Sequence, residues 1–199
     1  MFKVLIGPTG RVYKAQGFGG EMVALKKSHV TKHVTSPMLR HEACALSLLA
    51  GHPSIPRVYA WGRSQYYEYL AMDLLGSPSQ SVSTQPKRLE LRSVLSLLVQ
   101  MVRRFSCDLK FLTTFPQLDS LQHIHSHHVV HLDIKPVNIL FGIGSQAERM
   151  SLIDYGFARY YRDPLSLVHR PLEENQKFLG TVQYASLNAH IGFSTIILF

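Results

Sequence analysis

The sequence predicts an α+β fold in two parts, a strand-rich N-terminal part followed by a mainly helical C-terminal part. Five short runs of strand-forming composition occupy roughly the first 75 residues, together with one run of helical apolar spacing, 38–50. After Gly76 the character changes, because a Ser/Pro/Gln-rich connector precedes a strongly amphipathic run, 89–102. These observations predict a small five-stranded sheet with one helix, joined to a part built mostly from helices.

Turn and cap signals delimit these elements. Ser36-Pro37 is a helix-start signal, and the helical run after it stops at Gly51. The run 121–128 is typical of the end of a second helix. The predicted strands are 4–6, 11–15, 21–26, 58–61, 67–72, 129–130, 139–141 and 151–153.

The charge of the chain is basic but dispersed. The 21 Lys and Arg residues outnumber the 13 Asp and Glu residues, which gives a formal net charge of +8. A basic balance favours acidic partners or phosphates. The basic residues form no Lys/Arg run of the nucleic-acid-binding type, so we expect no nucleic-acid partner.

The cysteines and termini indicate the compartment. Cys44 and Cys107 are far apart and form no Cys-x-x-Cys pair, which argues against a disulfide scaffold or a zinc ribbon. The N-terminus is too short for a signal peptide, and the final apolar run, 191–199, is too short to span a bilayer. We expect a monomer in the cytoplasm, the nucleus or both, with no membrane partner.

The strongest chemical signal is an eight-residue loop, HLDIKPVN at 131–138, followed by LIDYG at 152–156. Phosphoryl transfer requires a positioned hydroxyl, neutralised phosphate charge and metal ions, and little covalent help from the protein. Asp133 can accept the proton of a substrate hydroxyl, and Lys135 can reach the transferred phosphoryl group. The paired segments predict a phosphoryl-transfer site with these two residues as its catalytic groups.

Two residues of the same segments are candidate metal ligands. Asn138 and Asp154 offer hard oxygen donors of the kind that Mg²⁺ prefers. The spacing from Asp133 to Asn138 suits a tight loop that turns both side chains toward one site. Gly156 lets the backbone turn sharply after Asp154.

A lysine on the third predicted strand completes the pattern. Lys26 ends the run VALK, and such a strand lysine contacts the phosphates of ATP in protein kinases, where a helix glutamate holds it. Glu42, on the predicted helix that follows, is the natural partner.

The chain resembles the casein kinase 1 family of protein kinases over nearly its whole length. The segment 36–42 looks like the start of that family's helix C, and 72–76 looks like its hinge. The stretches that carry the resemblance are SPMLRHE at 36–42, LLAG at 48–51, IPRVY at 55–59, MDLLG at 72–76, LIDYGFARYYRDP at 152–164 and GTVQYASLNAHIG at 180–192.

The resemblance implies a two-lobed kinase-like fold, ATP and Mg²⁺ as cofactors, and phosphorylation of Ser or Thr hydroxyls on protein substrates. Met72 corresponds to the gatekeeper, and Leu75 to the backbone contact that faces adenine. The residues that the resemblance assigns to ATP are Gly7, Val12, Ala24, Lys26, Glu42, Met72, Leu75 and Leu140.

The resemblance also divides the chain. It places an N-lobe at 1–75, a partial C-lobe at 76–192 with an incomplete set of helices, and an unrelated tail at 193–199. The segment 105–120 interrupts a helix that the family runs straight into 121, so we interpret it as an aberrant insertion such as retained intron sequence.

The shortened glycine loop and the missing helices of the C-lobe favour an alternative, a catalytically inactive pseudokinase or fragment that acts through partner binding, and two further positions depart from the family pattern. The glycine-rich loop is shortened to Gly7-Pro-Thr-Gly10, and Pro8 has no N–H to offer a phosphate. Leu132 replaces the usual arginine of the catalytic loop, and Gln183 replaces an arginine of the family's anion site. We therefore expect no preference for already phosphorylated substrates.

Overall fold

The structure, a computed structural model, describes residues 4–7, 10–17, 19–30, 38–76, 116–146, 149–171 and 178–192. The predicted helix at 89–102, most of the segment 105–120 and the tail at 193–199 lie outside these ranges. In the part that is described, no helix is long and apolar enough to cross a membrane.

The N-lobe is built on one antiparallel sheet of five strands in the order β1-β2-β3-β5-β4, which confirms the five predicted strands. The third strand runs to His29, three residues beyond its predicted end. Its residues Lys27 and His29 pair with Tyr69 and Tyr67 on the fifth strand, and this pairing extends it. The strands are β1 Val4–Gly7, β2 Gly10–Gln16, β3 Met22–His29, β4 Val58–Arg63 and β5 Tyr67–Asp73.

One helix, α1 (Met38–Leu48), packs on the inner face of this sheet. Strand β5 alternates between buried and half-buried residues, so that Leu70 and Met72 point into the core. The chain leaves the helix region through Gly51 at φ +101°, a conformation that favours glycine, which explains the predicted stop there. The buried apolar residues of the core are Leu39, Ala43, Leu46, Leu49, Ile55, Leu70, Met72, Ile124, Val129, Leu152, Tyr155 and Ala158.

The described part of the C-lobe is partly helical. Its helix α2 (Pro116–Ser126) begins five residues before the predicted element at 121, so the last five residues of the segment 105–120 are helical. Proline suits the first turn of a helix, since its missing N–H has no partner to lose there. The remaining elements are β6 Val129–Val130, β7 Ile139–Phe141, β8 Met150–Leu152, β9 Arg159–Tyr160 and α3 Leu187–His190.

Two short antiparallel strand pairs, β6 with β9 and β7 with β8, hold the loops of the C-lobe. Helix α2 contacts the N-lobe through His123, whose ring stacks on His52 with centroids 4.7 Å apart. The Nε2 atom of His123 also lies 2.9 Å from the carbonyl oxygen of Leu49. These contacts fix α2, and the loop that follows it, against the C-terminal end of α1.

Candidate active site

A buried three-way ion pair joins the lobes. The ammonium of Lys26 on β3 lies 2.7 Å from the Glu42 carboxylate on α1 and 2.8 Å from the Asp154 carboxylate after β8. All three residues are buried. The predicted pairing of Lys26 with Glu42 is therefore present, and Asp154 shares the same ammonium.

Burial and the neighbouring charges shift the pKa values of Lys26 and Glu42 in this cluster. Burial alone favours neutral Lys26, but the negative charges of Glu42 and Asp154 outweigh it and raise its pKa, so the lysine stays charged. Burial raises the pKa of Glu42, and the Lys26 ammonium offsets only part of that rise. The charged lysine, held by two carboxylates, can also bind a phosphate, because phosphate offers the same kind of negatively charged oxygen acceptor.

A second polar cluster surrounds Asp133 in the predicted catalytic loop. One carboxylate oxygen accepts a hydrogen bond from Lys135 Nζ at 2.7 Å, and the other accepts from the Thr181 hydroxyl at 2.7 Å. Lys135 Nζ also donates to Thr181 Oγ1 at 2.8 Å. Burial disfavours the Asp133 charge, but the donors Lys135, Thr181 and Asn138 outweigh it and lower its pKa, so the carboxylate is ionised.

The loop around Asp133 is held by its own polar side chains. The Asn138 amide nitrogen donates to the backbone oxygen of Asp133 at 2.8 Å, which folds the loop back on itself. The buried ring of His131 accepts the Asp133 N–H through Nδ1 at 3.2 Å, and its Nε2 lies 3.0 Å from the Ile153 oxygen. These partners fix the neutral tautomer with hydrogen on Nε2, and burial lowers the His131 pKa accordingly.

The β7–β8 pair brings the two candidate metal ligands to one end of a ladder. Ile139 pairs with Leu152, and the Ile153 N–H donates to the Asn138 oxygen at 2.9 Å. Asn138 therefore precedes the first residue of β7, opposite the point where the chain leaves β8 toward Asp154. Asp154 has φ +66°, a left-handed conformation that a non-glycine residue adopts only under strong local constraint.

The residues predicted to contact ATP occupy both lobes. Val12 pairs with Lys26, and Ala24 pairs with Met72, so these positions adjoin one another across β2, β3 and β5. Leu140 is half-buried on β7. Leu75 lies in the connection between the lobes, just before Gly76, whose N–H donates to the Phe141 oxygen at 2.7 Å. Their contacts with ATP stay predictions.

Gly7 also has a defined place. It is the Cα partner of Gly10 at the end of the β1–β2 ladder, so only two residues connect the paired positions. This register agrees with the shortened glycine loop expected from the sequence.

The family model of the protein kinase domain matches residues 3–187. This chain belongs to the protein kinase domain family. The antiparallel N-lobe sheet and the partly helical C-lobe of this kinase domain are those of a kinase fold. Protein kinase domains transfer phosphoryl groups to proteins and generally use ATP with Mg²⁺.

The donors of this kinase domain fit Mg²⁺ rather than a transition metal. Asn138 directs its amide nitrogen to Asp133, so its amide oxygen is the atom that would bind Mg²⁺, together with the carboxylate of Asp154. One or two protein carboxylates together with substrate phosphates are the usual Mg²⁺ environment. In the described ranges, no three or more His, Cys, Asp or Glu side chains converge as a metal site. The histidine-rich stretch 123–131 instead uses its rings for packing and backbone contacts.

Thr181 is the member of the Asp133 cluster that sequence reasoning missed. The signal lay in Gly180-Thr181, at the start of one of the stretches that resemble casein kinase 1. Gly180 has φ +97°, and a Cβ atom there would collide with the backbone oxygen of Leu132. Only glycine lets the chain pass this close to the catalytic loop and present the Thr181 hydroxyl to Asp133.

The two substituted positions of the sequence differ in their surroundings. Leu132 lies in the catalytic loop at φ +67° and is half-buried. Gln183 is exposed on the turn before α3. Neither position carries the positive charge that would bind a phosphate.

Proposed function

We propose that this kinase domain catalyses transfer of the γ-phosphoryl group of ATP to Ser or Thr hydroxyls of protein substrates, in the manner of casein kinase 1. The single observation that carries the proposal is the buried contact of Lys26 with both Glu42 and Asp154. Burying two carboxylates around one ammonium costs free energy, and such clusters are typical of functional sites. Binding of a triphosphate to the lysine would account for this one.

The chain's own side chains suggest how the phosphate end of ATP is held. Lys26, kept charged and fixed by Glu42, binds phosphate oxygens as a point charge. Asp154 and Asn138 supply the oxygen donors for Mg²⁺. When bound, the metal neutralises the charge that develops on the phosphates. The apolar side chains of Val12, Ala24, Met72 and Leu140, with the backbone at Leu75, enclose the adenine.

The Asp133 cluster supports a role at the acceptor hydroxyl. Ionised Asp133 orients the substrate hydroxyl and receives its proton, while Lys135 places a positive charge beside the transferred group. Thr181 keeps Asp133 and Lys135 in contact with each other. Gln183 argues for substrates recognised without a bound phosphate, since it is neutral and exposed.

The second candidate, an inactive pseudokinase that acts by binding partners, rests on the first hairpin. Because two residues connect Gly7 and Gly10, and Pro8 has no N–H, few backbone donors are available above the phosphates. The retained polar clusters around Lys26 and Asp133 favour the enzyme over this alternative.

The deciding experiment compares the whole chain with Asp133→Asn in Mg²⁺-ATP binding and in phosphorylation of casein. The enzyme predicts phosphorylation that falls by roughly 100-fold or more in the variant, because the general base is lost, while nucleotide binding is kept. Glu21→Gln, the same chemical change at an exposed carboxylate, is the matched control and should be fully active. If the unmodified chain phosphorylates casein no faster than Asp133→Asn does, the result would favour the pseudokinase instead.

A further inference from the structure

A cavity of about 520 Å³ lies between the lobes, next to the loop after α1 and the β7–β8 turn. That size is within the usual range for small-molecule sites, which favour domain interfaces. Its walls come from the loop after α1, the start of β4, the connection at 73–75 and the β7–β8 turn. The lining residues that carry the argument are Met22, Ile55, Leu74, Ile143, Gln146 and Arg149.

This cavity is separate from the nucleotide site proposed above. Of the residues assigned to ATP, only Leu75 is in its wall. Lys26, Glu42 and Asp154 do not line it.

The charge of the cavity wall is dominated by one residue. Arg57 and Asp73 also line the cavity, but their side chains pair with each other at 3.3 Å and cancel. Within the described ranges, the Arg149 guanidinium makes its hydrogen bond to Gln146 Oε1 at 3.1 Å, and its buried Nε has no partner. Because the Gln146 oxygen belongs to a neutral amide, this contact does not offset the positive charge of the guanidinium.

The rest of the wall adds an apolar surface. Met22, Ile55, Leu74 and Ile143 present hydrocarbon to the same cavity, and β8 contributes the buried residue Ser151. An apolar wall with one unmatched cation is complementary to a small molecule that has an apolar body and an anionic head.

We propose that this cavity is a binding site for a small organic anion, whose carboxylate or phosphate head binds the guanidinium of Arg149. The head accepts hydrogen bonds from the guanidinium of Arg149, and the body packs against the four apolar residues. The proposal does not rest on catalysis, because the site shares no charged residue with the Asp133 and Lys26 clusters.

The test is calorimetric titration of the whole chain with phenyl phosphate, which combines an apolar ring with a phosphate head. We expect Arg149→Met to weaken binding by at least tenfold, because it keeps the volume of the side chain and removes the charge. Arg63→Met, the same change at an exposed arginine on β4, should bind like the original chain. Unchanged binding in Arg149→Met would overturn the proposal and assign the ligand to another site, such as the nucleotide cleft.

A second variant keeps the test decisive if Arg149→Met does not fold, which circular dichroism will reveal. Ile143 is 52% exposed at the cavity wall, so Ile143→Trp can fill the cavity without disturbing the core. It leaves Arg149 in place and should also weaken binding at least tenfold. Undiminished binding in Ile143→Trp contradicts the proposal. Asp133→Asn should bind phenyl phosphate normally, which separates this site from the kinase activity.

Discussion

The hydroxyl of Thr181 donates a 2.7 Å hydrogen bond to the carboxylate of Asp133, 48 residues earlier in the chain. The same hydroxyl accepts from Lys135 at 2.8 Å, so one side chain bridges the two charged groups of the catalytic loop. The segment that contains Thr181 is therefore part of the Asp133 cluster, and the orientation of that carboxylate depends on it.

Replacing Thr181 with valine should lower the rate of phosphorylation by roughly 10- to 100-fold, the range expected from losing a hydrogen bond to a charged group. Since the Thr181 hydroxyl bonds to Asp133 and Lys135, which are proposed to act on the acceptor hydroxyl, the affinity for Mg²⁺-ATP should stay within about twofold. Steady-state kinetics that separate kcat from KM provide the measurement. Thr181→Ser keeps the hydroxyl and should restore most of the rate, whereas equal losses in the serine and valine variants would exclude a role for the hydrogen bond.

Replacing Lys26 with methionine should destabilise the fold by about 3–5 kcal/mol, since it leaves the carboxylates of Glu42 and Asp154 buried without their cation. Lys27→Met on the same strand is the control, because Lys27 lies on the opposite face over the Tyr67 ring. Chemical denaturation gives both free energies of unfolding. The double variant Lys26→Met, Glu42→Met should recover part of the loss, and additive losses in that variant would contradict coupling through the ion pair.

Replacing Tyr155 with phenylalanine should stabilise the kinase domain by about 1 kcal/mol, because it removes a buried hydroxyl that has no hydrogen-bond partner among the residues that the structure describes. Tyr155 is fully buried against the His131 ring, with centroids 4.7 Å apart, so the phenyl ring keeps the packing. Burial also raises the pKa of this phenol, which keeps it neutral. Thermal unfolding checks the prediction, and a lower melting temperature for the variant would show that the hydroxyl has an acceptor after all.

Stability should fall on acidification below the ordinary histidine pKa of 6.5, because burial lowers the pKa of His131 in the folded state. Below that pH, His131 binds a proton in the unfolded chain but stays neutral in the folded chain. The stabilisation that neutral His131 gives to the folded state is fully present above pH 6.5. It is lost as the pH falls from there toward the pKa of His131 in the folded state. Melting temperatures at pH 7.5 and 5.5 should differ less in His131→Phe than in the original chain. His190→Phe, at an exposed histidine, should keep the full difference.

Much of the fold was predictable because local patterns decide it. The strand-forming composition of 67–72 predicted β5, and Gly51 marked the end of the helical run where a positive φ is required. The pairing of Lys26 with Glu42 was expected from the protein kinase pattern of a strand lysine held by a helix glutamate, and the structure contains this ion pair. The start of α2 at Pro116 was not predicted, because the residues before 121 carry no regular apolar period.

Contacts made by distant segments were beyond sequence patterns. Glu68 on β5 is 1% exposed and accepts the Leu39 N–H in the first turn of α1 at 3.2 Å, 29 residues away. A glutamate in a strand pattern gives no sign that it will serve a helix terminus. The same holds for Thr181 and for the cavity beside Arg149, whose walls come from segments that are distant in the sequence.

The pairing of Gly7 with Gly10 has a consequence for turnover. Only two residues separate Gly7 from Gly10 in the sequence, fewer than in a long glycine loop, so under the proposed function we expect ADP to leave more easily. We expect brief residence of nucleotide products, a high ATP concentration at half-maximal rate, and a catalytic cycle paced by the chemical step instead of by emptying of the cleft.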